Sequence, residues 1–398
     1  LESNGAVDVS SFTISANAVD LEGKVLLNQE KWPSLIDIEG RIANPDGTSI
    51  LLPVSGEGTR VDGVTLRVDY DAADGDRFDG DFDITGLDTG ALQIAQTTLA
   101  LDGILEGNLG SLGQFLGDVT FAAEGLKLTD PASAAAIGDK ITGNAEVRFV
   151  EGEPVEINGL TLTGADYGLE GQAAIDDVDT GLMTNLKVTL EADDISRFSA
   201  LAGRDLAGST AVALNGTVTP LGGMFDLALA GITDDLKIGV EQADALLAGR
   251  TNLSMIALRN ENGTFLRQLD LKNDALDLSG NAELRSEDSR AELAFTLADV
   301  SLVLPQYEGP IAVKATAEQD SRGWTVDAVT DGPYDAALTA SGLVTGPDAR
   351  IDFTADIPRI EDFVPEADIT GPVTAKGELR QTPQGWQIDT EAGGPFDA

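Results

Sequence analysis

Two residue types are missing from this chain of 398 residues, and each absence removes a class of chemistry. Without cysteine there is no disulfide framework, no thiolate metal site and no cysteine nucleophile. Without histidine the commonest general base and transition-metal ligand are gone, so no Ser-His-Asp hydrolase can be assembled. Basic residues are scarce as well. Lys and Arg total 25 against 68 Asp and Glu, a net charge of -43 that repels polyphosphate backbones and anionic membrane surfaces alike. Nucleic acid is therefore excluded as a partner. No run approaches the roughly 18 consecutive apolar residues of a membrane-spanning helix. Leu1 to Asn4 carry neither the basic region nor the apolar core of a signal peptide. Ser-x-x-Lys, Gly-x-Ser-x-Gly and Walker-type motifs are also missing, and the reading is of a protein that is no enzyme and takes no cofactor.

What is present is alternation. Val64, Leu66 and Val68 are separated by Thr65 and Arg67, the period of two that marks a strand with one dry and one wet face. The pattern returns at Phe82 and Ile84, at Val147 and Phe149, and at Leu186, Val188 and Leu190. It continues at Phe225, Leu227 and Leu229, at Leu293, Phe295 and Leu297, and at Ile351 and Phe353. Phe12 falls on the same dry pattern. Turn formers punctuate these runs: Asn44-Pro45-Asp46-Gly47, Asp74-Gly75, Asn215-Gly216, Asn262-Gly263 and Gly346-Pro347-Asp348. Helical spacing is confined to Pro131 to Ile137, Ser196 to Ala202 and Pro358 to Val364, short stretches read as lids over the end of a sheet. Strands of roughly 12 residues with their turns predict about 30 antiparallel strands.

The chain also repeats itself with a period of 62 residues. Gly309-Pro310 recurs as Gly371-Pro372, Gly323-Trp324 as Gly385-Trp386, and Gly332-Pro333-Tyr334-Asp335-Ala336 as Gly394-Pro395-Phe396-Asp397-Ala398. Over the 28 positions that start at Gly309 and Gly371, 11 are identical without a gap. Ala192-Asp193-Asp194-Ile195, Ala298-Asp299-Val300 and Ala355-Asp356-Ile357 are read as opening equivalent excursions. No linker rich in Pro, Gly or Ser interrupts the series, so the units should stack continuously. The sequence starts without Met and stops inside this pattern, as expected of a segment of something longer.

An apolar sheet face must be buried by closing on itself, by a second sheet or by an apolar ligand, and alternation alone fits all three. Trp324 and Trp386 read as side chains packed over a Gly-Pro turn at a sheet margin. The run Asp69, Asp71, Asp74, Asp76, Asp79, Asp81 and Asp83 fails the EF-hand spacing and reads as a solvated hairpin face, so no metal site is expected. Asn215-Gly216-Thr217 and Asn262-Gly263-Thr264 match a glycosylation acceptor but read first as hairpin turns.

Taken together, the Ala-Asp-Ile excursion, the Gly-Pro strand start, the Gly-Trp-x-aliphatic-Asp strand and the Gly-Pro-aromatic-Asp-Ala close resemble the repeat region of the TamB family, within the AsmA-like proteins of Gram-negative envelopes. The likeness divides the chain into a weaker part, residues 1–140, and a clearer part, residues 141–398, continuous with it. It implies an all-β fold: an elongated antiparallel repeat sheet curled into an open hydrophobic groove, the β-taco, with short helical excursions. It further implies a periplasmic, inner-membrane-anchored protein that shields phospholipid acyl chains between the two membranes, supports envelope assembly, and meets a TamA-like outer-membrane barrel through regions absent from this stretch. On that reading the groove is lined by the dry-face residues from Val64 to Phe353 named above. The alternative from another class is an acidic surface or adhesin protein of repeated β-sandwiches that binds a partner or calcium and holds no lipid.

Overall fold

The computed structural model describes residues 6–51, 58–90, 92–108, 111–176, 180–219, 222–286, 288–346, 348–367, 369–382 and 385–395. The closing Phe396-Asp397-Ala398 and Pro347 of the Gly346 turn lie outside them. Among the described residues the fold is all-β, with 26 antiparallel strands in open sheet that does not close into a barrel, and only a few short helices. Two compact units divide it, one formed by Leu1–Leu206 with Thr219–Gly222, the other by Ala207–Val218 with Gly223–Ala398. Residue 140, where the family likeness strengthens, falls inside the first unit.

Within each unit most strands pair with their neighbours in the chain. In the first, Gly63–Asp71 pairs with Arg77–Asp88, then Leu92–Asn108, Ser111–Glu124, Lys140–Val150, Val155–Thr163, Tyr167–Ile175 and Thr184–Ala192 follow in antiparallel succession. In the second, the ladder from Met224–Lys237 to Gly385–Gly393 is unbroken, each strand bonded to the next. Successive hairpins in one sheet are not the paired sheets that the sandwich alternative requires.

The 62-residue period corresponds to four strands. Ser289–Leu297 and Arg350–Ile357 are equivalent, as are Ile311–Asp320 and Val373–Thr382, and Gly323–Asp331 and Gly385–Gly393. Between the first two strands of each unit lies the excursion. The amide of Val300 donates to the Gly309 carbonyl at 2.8 Å, and that of Ile360 donates to Gly371 at 3.1 Å, closing each loop into a short 3-10 turn. Gly309 and Gly371 sit at φ +108° and +115°, a region L side chains rarely adopt, which accounts for glycine at both strand starts. The equivalence corrects one expectation: Asp356 and Ile357 belong to a strand, and the last excursion opens at Arg359-Ile360.

Short carboxylate side chains start these excursions by accepting orphan backbone amides. Asp130 caps α1 (Pro131–Ile137) through the Ser133 amide at 2.8 Å, Asp194 accepts from Ser196, and Asp299 accepts from Ser301 at 3.0 Å and Gly309 at 3.1 Å. Those bonds hold the Asp194 and Asp299 carboxyls below their ordinary range. α2 (Ser199–Ala202) continues the Asp194 excursion, and α3 (Glu241–Leu246) was not foreseen from the sequence. A second correction concerns Asn215-Gly216, which is no turn. Both lie inside the strand Ala207–Thr219, where Gly216 at φ +146° leaves room for the carbonyl of Asp226 on the adjacent strand. The expected turns at Asp74-Gly75 and Asn262-Gly263 are present.

Candidate functional site: an uncovered apolar face

Directly paired residues in an antiparallel ladder share a face, so the registers alone establish which side chains stand together. In the first unit Val64, Leu66 and Val68 face Ile84, Phe82 and Gly80. Phe82 then pairs with Leu99, Leu99 with Phe121 and Phe121 with Gly143, which shares its parity with Val147 and Phe149. Beyond the bulge after Asn144, Val147 pairs with Ile157, Ile157 with Ala173 and Ala173 with Leu186. Every dry-face candidate of this unit, including Val188 and Leu190, therefore lies on one face.

The second unit repeats the result. Leu227 pairs with Ala257, Leu229 with Met255 and Phe225 with Arg259. Following the same line, Met255 meets Leu269, Leu278 meets Phe295, and Leu293 meets Ala315. Further on, Ala340 meets Phe353, Gly342 meets Ile351, and Ile351 meets Leu379. The opposite face of these strands is a polar lattice. Arg267 approaches Asp226 at 3.4 Å, Lys272 pairs with Asp277 at 2.5 Å, and Lys376 pairs with Glu391 at 2.8 Å.

The dry face is sheltered but not covered. Along Ile311–Asp320 and Arg350–Ile357, half-buried residues alternate with exposed ones, so the apolar side is consistently the more protected. Full burial is rare; the one cluster of fully buried leucines lies at one end of the strands, while single small residues such as Ser289 and Ala349 are buried at the other. In that cluster Leu276 and Leu297 join Leu247, which follows α3, and Val303 of the Val300 excursion packs against it. The excursions thus act as end caps, as read from the sequence. In the first unit Phe198 meets the Tyr167 ring edge-on at 6.4 Å, and Arg197 ties the Asp194 excursion to α1 through the Ala136 carbonyl at 3.0 Å. In the second, Phe363 packs on Tyr307 and Tyr334 at 5.5 and 5.4 Å. Away from the caps Leu293 keeps 39% of its surface exposed, and Ile388 keeps 61%. A protein core does not leave mid-sheet leucines in this state.

Aromatic rings lie over glycines on this face. A Cβ on Gly143 would stand 2.6 Å from the Phe121 ring, and one on Gly377 would stand 2.8 Å from Phe353. The glycines make the face smoother than its composition suggests, since each large ring fills the space its neighbour leaves.

Trp324 and Trp386 stand at the sheet margin, on the dry side opposite Gln319 and Gln381, at the end of the strands away from the Gly309-Pro310 and Gly371-Pro372 strand starts, and Trp386 is half-exposed; the Trp324 amide donates to the Thr345 hydroxyl at 2.8 Å. In the acidic run, Tyr70 donates to Asp76 at 2.7 Å and Arg77 binds Asp79 at 2.8 Å. Burial, then the Asp76 contact, pushes the Tyr70 phenol up to about 12. Among the described residues no group of carboxylates is arranged to hold a metal ion. Sequence reasoning did not foresee a shallow trough of about 930 Å³ on the wet face of the second unit, lined by Asp270, Asn281, Lys314, Asp327, Thr339 and Asp352 among others. Its hydroxyls and carboxylates bond to one another, Thr339 to Thr354 at 2.6 Å and Asn281 to Glu292 at 3.3 Å, and the trough is a solvated valley between side-chain rows.

No family model matches the chain, and neither the curated proteins nor the solved structures contain a match. No described helix is long and apolar enough to cross a membrane.

Proposed function

We propose that this chain is a segment of a periplasmic conduit whose dry face shields phospholipid acyl chains on their way between membranes, without catalysis. One observation carries the reading: an apolar face runs from strand to strand through the registers of each unit, and among the described residues of that unit no second layer covers it between the end caps. Each exposed methylene costs roughly 0.8 kcal/mol in water, so a two-tailed lipid leaving a bilayer faces a barrier of order 20 kcal/mol. A continuous aliphatic trough removes most of that barrier, and its non-directional contacts let a tail slide. The envelope localisation, the supporting role in outer-membrane assembly and the TamA-like partner belong to this proposal through the family resemblance alone.

Native mass spectrometry of the purified chain tests the reading. Co-purified phospholipid that is released by detergent and regained on incubation with vesicles is the expected result. A chain that stays free of lipid after vesicle exposure refutes it.

A further inference from the structure

Among the described residues, the register-paired dry face of the second unit carries a single charged side chain. From Met224–Lys237 to Gly385–Gly393, the register-paired residues on this face are aliphatic, aromatic, small or uncharged, except Arg259. Arg259 stands between Phe225 on one strand and Thr264 on the other, in line with Leu284 beyond. It is exposed, and among the described residues its side chain has neither an ion pair nor a hydrogen bond. Among those residues Arg250 of the same strand also lacks an ion pair, so what sets Arg259 apart is the face on which it stands. Acids outnumber bases 68 to 25, and on the wet face Arg267, Arg290, Arg350 and Arg380 each have a carboxylate within reach.

Position adds to the argument. The caps close the end of the strands where Leu276 and Leu297 lie, and Arg259 is at the other end, beside the Asn260–Gly263 turn. Trp324 and Trp386 start their strands at that same uncapped end and on the same face. An apolar floor, a rim of tryptophans and one unpaired guanidinium make up the arrangement that an amphiphile with an anionic end requires.

Resting on the conduit reading, we infer that Arg259 binds the phosphate of a phospholipid whose acyl chains lie on the dry face, so that head groups leave the groove at the uncapped rim. The guanidinium offers a planar fork of donors that matches two phosphate oxygens, and no protein carboxylate has to be displaced. The net charge of -43 repels anionic head groups elsewhere on the surface, which makes a lone local cation decisive for where they settle.

The test is calorimetric titration of the chain and its Arg259→Gln and Arg259→Lys variants. The probes are dihexanoyl phosphatidylglycerol below its micelle concentration, dihexanoylglycerol with the same tails and no phosphate, and inorganic phosphate. Loss of a charge-assisted bond predicts that Arg259→Gln binds the phospholipid about tenfold more weakly while the diacylglycerol affinity is unchanged, with Arg259→Lys in between. Circular dichroism melts matching the parent exclude a folding defect. Equal weakening of both lipids, or no weakening of the phospholipid, overturns the assignment. Binding of inorganic phosphate at the same affinity as the phospholipid also overturns it, in favour of a free-anion site. If the parent chain binds neither lipid, the conduit reading itself fails, an outcome seen before any variant is compared.

Discussion

Placing a charge on the dry face distinguishes an open groove from a closed core. Leu227 is the most useful position, because it stands on the dry face, pairs with Ala257 and is half-buried. Complete burial of a leucine is worth about 1.5–3 kcal/mol, so the open face gains roughly 1 kcal/mol from this side chain. In Leu227→Arg that contribution is lost, but the guanidinium can lift its head into solvent while its stem stays on the sheet. The expected cost is therefore about 1 kcal/mol, which lowers Tm by about 2–4 °C for a unit of this size. In a closed core the same charge would be buried without a partner, at a cost of several kcal/mol and with unfolding of the unit.

Asp226→Arg, one residue away on the wet face, is the control. It breaks only the Arg267 contact at 3.4 Å between two half-exposed side chains, a loss within the 0–1 kcal/mol range of surface ion pairs. Circular dichroism melts and lipid retention by native mass spectrometry are measured on both variants. Leu227→Arg should stay folded and retain less lipid, and Asp226→Arg should match the parent in both. Collapse of the fold at Leu227 with indifference at Asp226 would refute the open-face argument.

Three further outcomes follow from particular contacts. Gly377→Val should destabilise the second unit by about 2 kcal/mol or more, since its Cβ would meet the Asp389 carbonyl at 2.4 Å and the Phe353 ring at 2.8 Å; an unchanged urea midpoint contradicts the packing described. The Tyr70 phenol has a folded pKa raised to about 12 against the ordinary 10, so its contribution is intact below about pH 10 and is lost as pH rises through 12; Tyr70→Phe should flatten that part of the stability profile, and a profile unchanged by the substitution refutes the assignment. With 43 net negative charges, raising sodium chloride from about 10 mM to 500 mM should raise Tm as self-repulsion is screened, and a fall in Tm would mean that the wet-face ion pairs outweigh it.

Much of this architecture was legible because period two is a strong signal when it is repeated. Phe225, Leu227 and Leu229 could be assigned to one face without knowing their partners, and so could Leu293, Phe295 and Leu297. The lids at Pro131 to Ile137 and Ser196 to Ala202 were also readable, from their short stretches of helical spacing, and the structure adds the aspartate that caps each. Asn215-Gly216 misled because Asn-Gly is a good hairpin turn in isolation, whereas here the long strand and its partner at Asp226 overrule local preference. α3 was missed because Val240 offers no capping side chain, although the run Glu241 to Leu246 is helix-favouring throughout. Arg259 was invisible for a different reason. Its strand, Arg250–Asn260, alternates poorly, and its partner Gly263–Lys272 carries a bulge at Arg267, so only the register reveals which face Arg259 shares.

The distribution of charge completes the physical case. A sheet with an uncovered apolar face should aggregate, either by stacking dry faces or by joining edges. The wet face bears carboxylates at alternate positions on many strands, as in Asp79, Asp81 and Asp83, which brings negative charge within one side-chain length of the apolar surface behind it. Two copies that approach dry face to dry face bring those fields together, whereas a single lipid tail carries no charge to repel. On the conduit reading, the same net charge that argues against nucleic acid would leave the apolar face open to small amphiphiles and oppose its pairing with copies of the protein, with the Trp324 and Arg259 rim as the proposed approach.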